Sequence, residues 1–472
     1  MIKEIGMSDY GIYSLIISFL SYFLIDFGLG SAISRFIAKY RAENDNDGIN
    51  KIFSVATIVY LFIDLMILII LSITYCYLSD IFIKLTPEEL VVFKKAYVIA
   101  ALFSVCTFYF KPYDGAMMAY EYFVKLKIFD LIQRVGTVFL IILALLGGGN
   151  IYALVLINGL VGFAVSLCKF FYFRRHTQIK ISISLFNKTI AKALFTFSFW
   201  IFLINIAQRL RLNIVPSILG AFSGTSEISV FSVGMNLEGF VYTFAFALNG
   251  LFIPKVARMV TAGSDRRELT KLMIKVGRIQ LFIVGFIIVG LIGLGKSFIS
   301  LWVGNDFADT YYVAVLLILP NIVSMTQEIG TTLSYVENEV KYNSIIAISM
   351  SVFSFILSLL LAPHFASIGC AWAVFFALIL NIFCLNIFYK FKLKLNILTF
   401  FRDCHIKILP LLFPLLIVLL FIDNNWGLHS WLSLFLVAGL YSLVYFFMVY
   451  YWGFNNEEKE LISTVFTKII KH

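Results

Sequence analysis

Apolar stretches of about 18 to 25 residues recur from one end of this 472-residue chain to the other, the length a helix needs to cross about 30 Å of hydrocarbon. Lipid offers no hydrogen bonds to exposed backbone, so stretches of this kind are confined to structures that pair their own N–H and C=O groups. Strand-length alternating runs do not recur, which argues against a β-barrel. Composition agrees, with 61% of residues hydrophobic and 14% charged, against roughly 45–50% and 25% in a soluble domain. The expected fold is all-α and integral to a membrane, with no soluble domain large enough to carry chemistry of its own.

The spans fall at about 11–29, 53–78, 94–111, 127–147, 151–173, 194–220, 226–253, 279–301, 311–334, 342–362, 367–389, 408–422 and 430–452, thirteen in all, with edges good to a few residues. Lys94 and Lys95 open the third, and Pro410 and Pro414 interrupt the twelfth, where missing backbone donors disfavour a helix. The net charge of +10 can indicate nucleic acid, but in a polytopic chain Lys and Arg are first a topology signal, retained in the cytoplasm. Their distribution decides: odd-numbered connections hold 25 of them and even-numbered connections 3. Odd connections are therefore expected in the cytoplasm, together with the tail carrying Lys459, Lys468 and Lys471, and nucleic acid is not an expected partner.

The six cysteines (76, 106, 168, 370, 384 and 404) lie in spans or near cytoplasmic ends without paired or metal-type spacing, and read as reduced apolar side chains. The five histidines are scattered. No cofactor or metal is expected.

The chain repeats itself. Gly6-Met7-Ser8-Asp9 with Tyr13-Ser14 matches Gly224-Thr225-Ser226-Glu227 with Phe231-Ser232 at a constant offset of 218. Each copy opens a span that ends in a Gly-containing patch, Phe27-Gly28-Leu29-Gly30 or Leu248-Asn249-Gly250-Leu251, followed by a basic amphipathic stretch. Transporters are often built from two such repeats around a site near the bilayer midplane. A full span, 194–220, precedes the second copy, whereas five residues precede the first. The charge pattern also leaves the N-terminus outside, although Met1 to Tyr10 has no apolar region or cleavage site of a signal peptide. The expectation is that an opening helix, which would restore a cytoplasmic N-terminus and bring the count to fourteen, is missing through a truncated or misassigned start.

The run Gly6-Met-Ser-Asp-Tyr-Gly-Ile-Tyr-Ser-Leu15, the turn Asp26-Phe-Gly-Leu-Gly30, the stretch Arg35-Phe-Ile-Ala-Lys-Tyr-Arg-Ala-Glu-Asn44 and the segment from Pro216 to Pro254 resemble the polysaccharide transporter family of the MATE-like MOP superfamily. The resemblance implies two pseudo-symmetric helical bundles around a central cavity. It divides the chain into an N-terminal bundle (1–175) lacking its first helix, a cytoplasmic linker (176–192), a C-terminal bundle (193–390), and two added helices with a cytoplasmic tail (391–472). It further implies an inner-membrane flippase, not an enzyme, that moves a polyprenyl-pyrophosphate-linked oligosaccharide for O-antigen, capsule or exopolysaccharide synthesis. The implied partners are that lipid-linked oligosaccharide, membrane lipids, a polysaccharide polymerase and chain-length machinery.

Ionisable side chains at mid-membrane cost on the order of 2.5–3.5 kcal/mol on insertion scales, so they mark cavities or partners. On 194–220, Asn205, Gln208, Arg209 and Asn213 fall on one stripe. Arg211 lies about 200° from Arg209 and joins that face only if Pro216 kinks the helix. A guanidinium suits bidentate phosphate binding; the alternative for Arg209 is an ion pair with Glu238 or Glu328. On 127–147, Asp130, Gln133, Arg134 and Thr137 form another stripe, in which Arg134 either contacts phosphate or snorkels to the headgroups. On 311–334, Asn321, Ser324, Gln327, Glu328 and Thr331 make a polar face expected to line a wet cavity. Glu328 leads the candidates for coupling to a proton or sodium ion, followed by Glu238 and Asp26; Asp26 can instead simply order its helix end. The basic stretches 30–52 and 255–278 are expected on anionic headgroups.

Competing readings are a MATE-type cation-coupled multidrug efflux antiporter, which favours cavity carboxylates, a membrane-embedded polysaccharide polymerase, and a channel. A polymerase needs sizeable external loops, but the external connections run from about 3 to 17 residues; a channel lacks a filter-like loop. The transcript tests the missing helix: an in-frame apolar segment upstream of Met1 is expected, and its absence counts against the idea.

Overall fold

The structure, a computed structural model, describes residues 2–22, 27–185, 187–245, 252–337, 339–426 and 428–460. Among these residues the chain is helical, and nine helical runs are long and apolar enough to cross a membrane. The spans expected at 53–78, 94–111, 151–173, 279–301, 311–334 and 408–422 each lie inside one such run, and those at 127–147 and 430–452 overrun theirs by one residue. Those at 342–362 and 367–389 share the ninth, Val340–Phe391, which breaks at Ala366 (φ 46°). The span at 194–220 is bent by 41° between Lys188–Thr196 and Ser198–Phe222. Those at 11–29 and 226–253 lie on Met7–Ser21 and Thr225–Ala245 and extend outside the described residues, as do Asp26 and Leu248–Leu251.

Side-chain caps explain where the helices begin. Asp45, Asn150, Asn187, Asp265 and Ser430 each accept from a first-turn N–H, satisfying donors that have no intrahelical partner. Thr86 and Glu89 form a reciprocal capping box with Pro87 just inside it. This cap starts the helix of the third expected span seven residues before its expected edge, so Lys94 lies within the helix and donates to Ser79 Oγ at 2.7 Å. Pro410 and Pro414 both sit inside the helix Lys407–Trp426, directly after a π-helical turn at Phe401–Ile406.

The residues pack into two compact units, one formed by Met1–Ser232 and Ala347–Ala373, the other by Val233–Ile346 and Val374–His472. In the first unit Leu29–Ala42 crosses Lys111–Ala119 so closely that a Cβ on Gly115 would meet the Gly30 carbonyl oxygen at 2.5 Å. Small residues permit such approach in membranes. The repeated motif is structural here: Gly6 (φ 84°) and Gly224 (φ 92°) both take a left-handed turn ahead of their helices, a conformation that costs glycine little. The copies also touch. Ser8 and Thr225 donate to the same Glu89 carboxylate at 2.5 and 2.7 Å, and Ser229 donates to the Met7 carbonyl at 2.5 Å. The same offset of 218 relates positive-φ Gly148 to the break at Ala366, where Glu227 accepts from the Ser367 N–H at 3.1 Å.

In the second unit Arg266–Trp302 packs along Lys407–Trp426, with Gly285 and Gly293 receiving Leu412 and Leu419. Tyr441 and Tyr445 donate to the Phe286 and Phe282 carbonyls, each at 2.7 Å. Buried Arg278 meets Glu458 through two bonds (2.6 and 2.9 Å) and donates to the Asp403 and Gly453 carbonyls at 3.1 and 2.7 Å. Removing one member of such a pair strands a buried charge. Glu458→Ala is expected to destabilise the protein by about 3–5 kcal/mol, read as a lower thermal midpoint in detergent, with Glu458→Gln milder; an unchanged midpoint would show that the pair holds nothing in place.

Candidate functional site

The helix Lys188–Gln208 does not run smoothly into Val215–Phe222. Between them Arg209–Asn213 forms a π-helical turn, closed by a bond from Ile214 N–H to the Arg209 carbonyl at 3.0 Å. Pro216 supplies the local reason, since it has no N–H to continue the α-helical ladder. Such bulges are frequent at functional sites because they re-aim the side chains around them. The turn is tied to the helix Met7–Ser21: Tyr22 donates to the Asn213 carbonyl and lies 2.8 Å from Ser217 Oγ, while Asn213 Nδ2 donates to Ser21 Oγ at 3.2 Å.

Arg209, thus anchored, lines a cavity of about 360 Å³ within the first unit. Its other polar lining residues are Lys111, Gln133, Asn158, Ser21, Ser104 and Thr107, and its walls include Ile17, Leu20, Phe103, Phe108 and Val155. Asn158 is oriented by a bond to Tyr13 Oη at 3.0 Å. The lining contains two basic side chains, two amides and no carboxylate. Among the described residues Arg209 forms no ion pair, and the nearest acid to Lys111 is Asp114 at 4.0 Å. Two cations lining one cavity favour an anion there, Arg209 more strongly than the partly exposed Lys111, whose charge water screens more.

Of the residues singled out from sequence, Arg209 reaches this cavity, as does Gln133 from the second stripe. Arg134 is exposed on Phe123–Leu146 and does not line it; Asp130 pairs with Lys169 at 3.2 Å. Arg211 and Asn205 are half-buried and Gln208 is exposed, all outside the cavity lining. Of the two arginines on the π-turn, Arg209 lines the cavity and Arg211 does not. Lys111, Asn158, Ser104 and Thr107 were missed. Lys111 reads as an ordinary connection charge, and only the short helix Lys111–Ala119 turns it inward.

The run that carries the expected polar face on 311–334 is interrupted in its middle. Thr310–Ile318 ends ahead of Pro320, a short turn Asn321–Ser324 and a 3₁₀ segment follow, and the helix resumes at Glu328–Val336. Its polar groups serve packing within the second unit: Gln327 donates to Asn386 at 2.6 Å, Thr331 lies 3.1 Å from Tyr389 Oη, and Asn321 donates to Glu238 at 3.0 Å. Glu328 is half-buried and accepts from Thr332 at 3.4 Å.

Residues 5–312 match the profile of a family described as "Polysaccharide biosynthesis protein". Among curated proteins none matches. Several solved structures share the fold. One is similar to this chain at a TM-score of 0.73 and 16% identity, covering 94% of this chain and 93% of its own: the lipid II flippase MurJ in an inward closed conformation. An inward-facing multidrug resistance MATE family transporter of the MOP superfamily aligns at 0.68 and 13%, over 80% and 93%. A MOP superfamily transporter from Pyrococcus furiosus, whose binding pocket is described as reversed in polarity, aligns at 0.58 and 13%, over 80% and 85%.

The anchoring of the π-turn predicts that Tyr22→Phe, which removes the phenol's bonds to Asn213 and Ser217, lowers stability by about 0.5–1.5 kcal/mol. Thermal unfolding in detergent reads this out, and no shift would mean that the phenol does not secure the turn.

Proposed function

This chain belongs to the polysaccharide biosynthesis protein family, and from that premise we propose that it is a flippase moving a polyprenyl-pyrophosphate-linked oligosaccharide across the cytoplasmic membrane. The chain is a multi-pass membrane protein, and its neighbours in fold are a flippase and transporters rather than enzymes. The observation that carries the proposal is the cavity with Arg209 and Lys111 in its lining and no carboxylate. That polarity suits a pyrophosphate better than the cationic drugs of an efflux antiporter, which would favour cavity acids. The amides of Gln133 and Asn158 offer neutral donors and acceptors to the sugars.

Transport proceeds by alternating access, with the charged head in the cavity and the polyprenyl chain in lipid. Arg209 is the primary anion contact. Arg134, Arg211, Asn205 and Gln208 are secondary contacts, reached as the helices move. Glu328, Glu238 and Asp26 are the candidates for coupling to a proton or sodium ion. In this reading the C-terminus is cytoplasmic, and the released repeat unit passes to a polymerase and chain-length machinery.

Cells carrying wild-type protein, Arg209→Ala or no protein test the proposal through their lipid-linked repeat units and surface polysaccharide. The null strain is expected to accumulate the intermediate and lose surface glycan. A well-expressed Arg209→Ala should leave at least about tenfold less transport, as removal of a charge-assisted contact implies. Unchanged glycan in all three strains, with altered sensitivity to cationic drugs, would put the efflux antiporter in its place.

A further inference from the structure

Next to the cavity in the first unit lies a cluster of charges that the anion site does not itself use. Lys169, on Ile151–His176, has a nearly buried side chain whose ammonium donates to Asp114 Oδ1 at 3.0 Å and Asp130 Oδ1 at 3.2 Å. Asp114 sits on Lys111–Ala119 and Asp130 on Phe123–Leu146. One ammonium therefore joins three helices, and each contributes to the cavity: Lys111 from the first, Gln133 one turn beyond Asp130, and Asn158 from the helix of Lys169 itself.

The distances separate the two lysines. Lys169 is hydrogen-bonded to Asp114, whereas Lys111 stands 4.0 Å from the other oxygen of that carboxylate, beyond hydrogen-bond range. Among the described residues Lys111 has no hydrogen-bond partner. We infer that Lys169 is a positioning residue for the anion site: by holding Asp114 in a hydrogen bond, it limits that carboxylate to a loose ion pair with Lys111 and leaves the hydrogen-bond donors of the Lys111 ammonium to an anionic ligand.

Charge counting gives the same direction. Asp114, Asp130, Lys111 and Lys169 together are neutral, so Arg209 adds a net positive charge at the cavity. Without Lys169 the cluster turns negative, Asp114 closes on Lys111, and an anion meets both an occupied cation and a repulsive field. Removing Asp114 as well restores neutrality and frees Lys111.

The inference rests on the anion-binding reading of the cavity, and binding of inorganic pyrophosphate to the full chain in lipid nanodiscs, followed calorimetrically, tests both. Lys111→Met and Arg209→Met should each weaken binding at least about tenfold. Lys169→Met should weaken it by a similar factor, Lys169→Arg should not, and Lys169→Met with Asp114→Asn should return to within about threefold of wild type. Recovery on removing a second residue is something a purely structural lysine would not give. Asp114→Asn alone, which keeps Lys169 and so does not depend on the folding of Lys169→Met, should bind at least as tightly as wild type. Weaker binding by Asp114→Asn, wild-type binding by Lys169→Met, or no recovery in the double variant overturns the inference while leaving the anion site standing. Pyrophosphate binding unaffected by Lys111→Met and Arg209→Met overturns both.

Discussion

Lipid cannot solvate a peptide group, and that constraint shapes the whole chain. Every backbone donor and acceptor within the membrane has to be paired inside the protein, which makes the helix the default and every interruption of it a place needing its own partners. The described residues show how such places are managed. Glu227 meets the free N–H at Ser367, and the Arg209–Asn213 turn closes a wider hydrogen-bonded ring before Pro216. Elsewhere, tyrosine hydroxyls reach across to the carbonyls of neighbouring helices.

Because interruptions need polar partners, they are also where polar side chains gather. The π-turn that carries Arg209 is held by Tyr22 and Asn213, so the same irregularity that turns the guanidinium inward fixes its backbone. The short helix Lys111–Ala119 plays the corresponding part for Lys111: it packs against Leu29–Ala42 through the Gly30–Gly115 approach and carries Asp114 to Lys169. A cavity whose lining carries two cations and no carboxylate, among neutral polar and apolar side chains, is the result. An anion gains there because two cations face one cavity without a carboxylate in its lining.

Several features were legible in the sequence for definite reasons. Apolar length located the runs that cross the membrane, and the stripe rule singled out Arg209 and Gln133, both of which line the cavity. The motif repeat foretold two matching glycine turns. The failures have physical causes too. Helix 87–108 begins early because a capping box at Thr86 outweighs the lysines that marked its edge. The polar face on 311–334 was read as one helix, but Pro320 and a 3₁₀ segment divide it, and its side chains bond to neighbouring helices. Arg134, read either as a phosphate contact or as snorkelling to the headgroups, lies exposed; periodicity names a face without saying what covers it.

The sequence by itself determined an all-helical membrane protein with an internal repeat and a polar helix carrying Arg209. Hydrophobic length, charge asymmetry and side-chain period are local properties, readable without knowing which helix meets which. Tertiary structure alone decided that Lys111 joins Arg209 while Arg134 does not, and that Asp114 and Asp130 are held by a lysine distant in sequence. Those outcomes depend on which charges folding brings within a few ångströms of one another. Coulomb energy depends on distance in space, which separation along the chain does not specify.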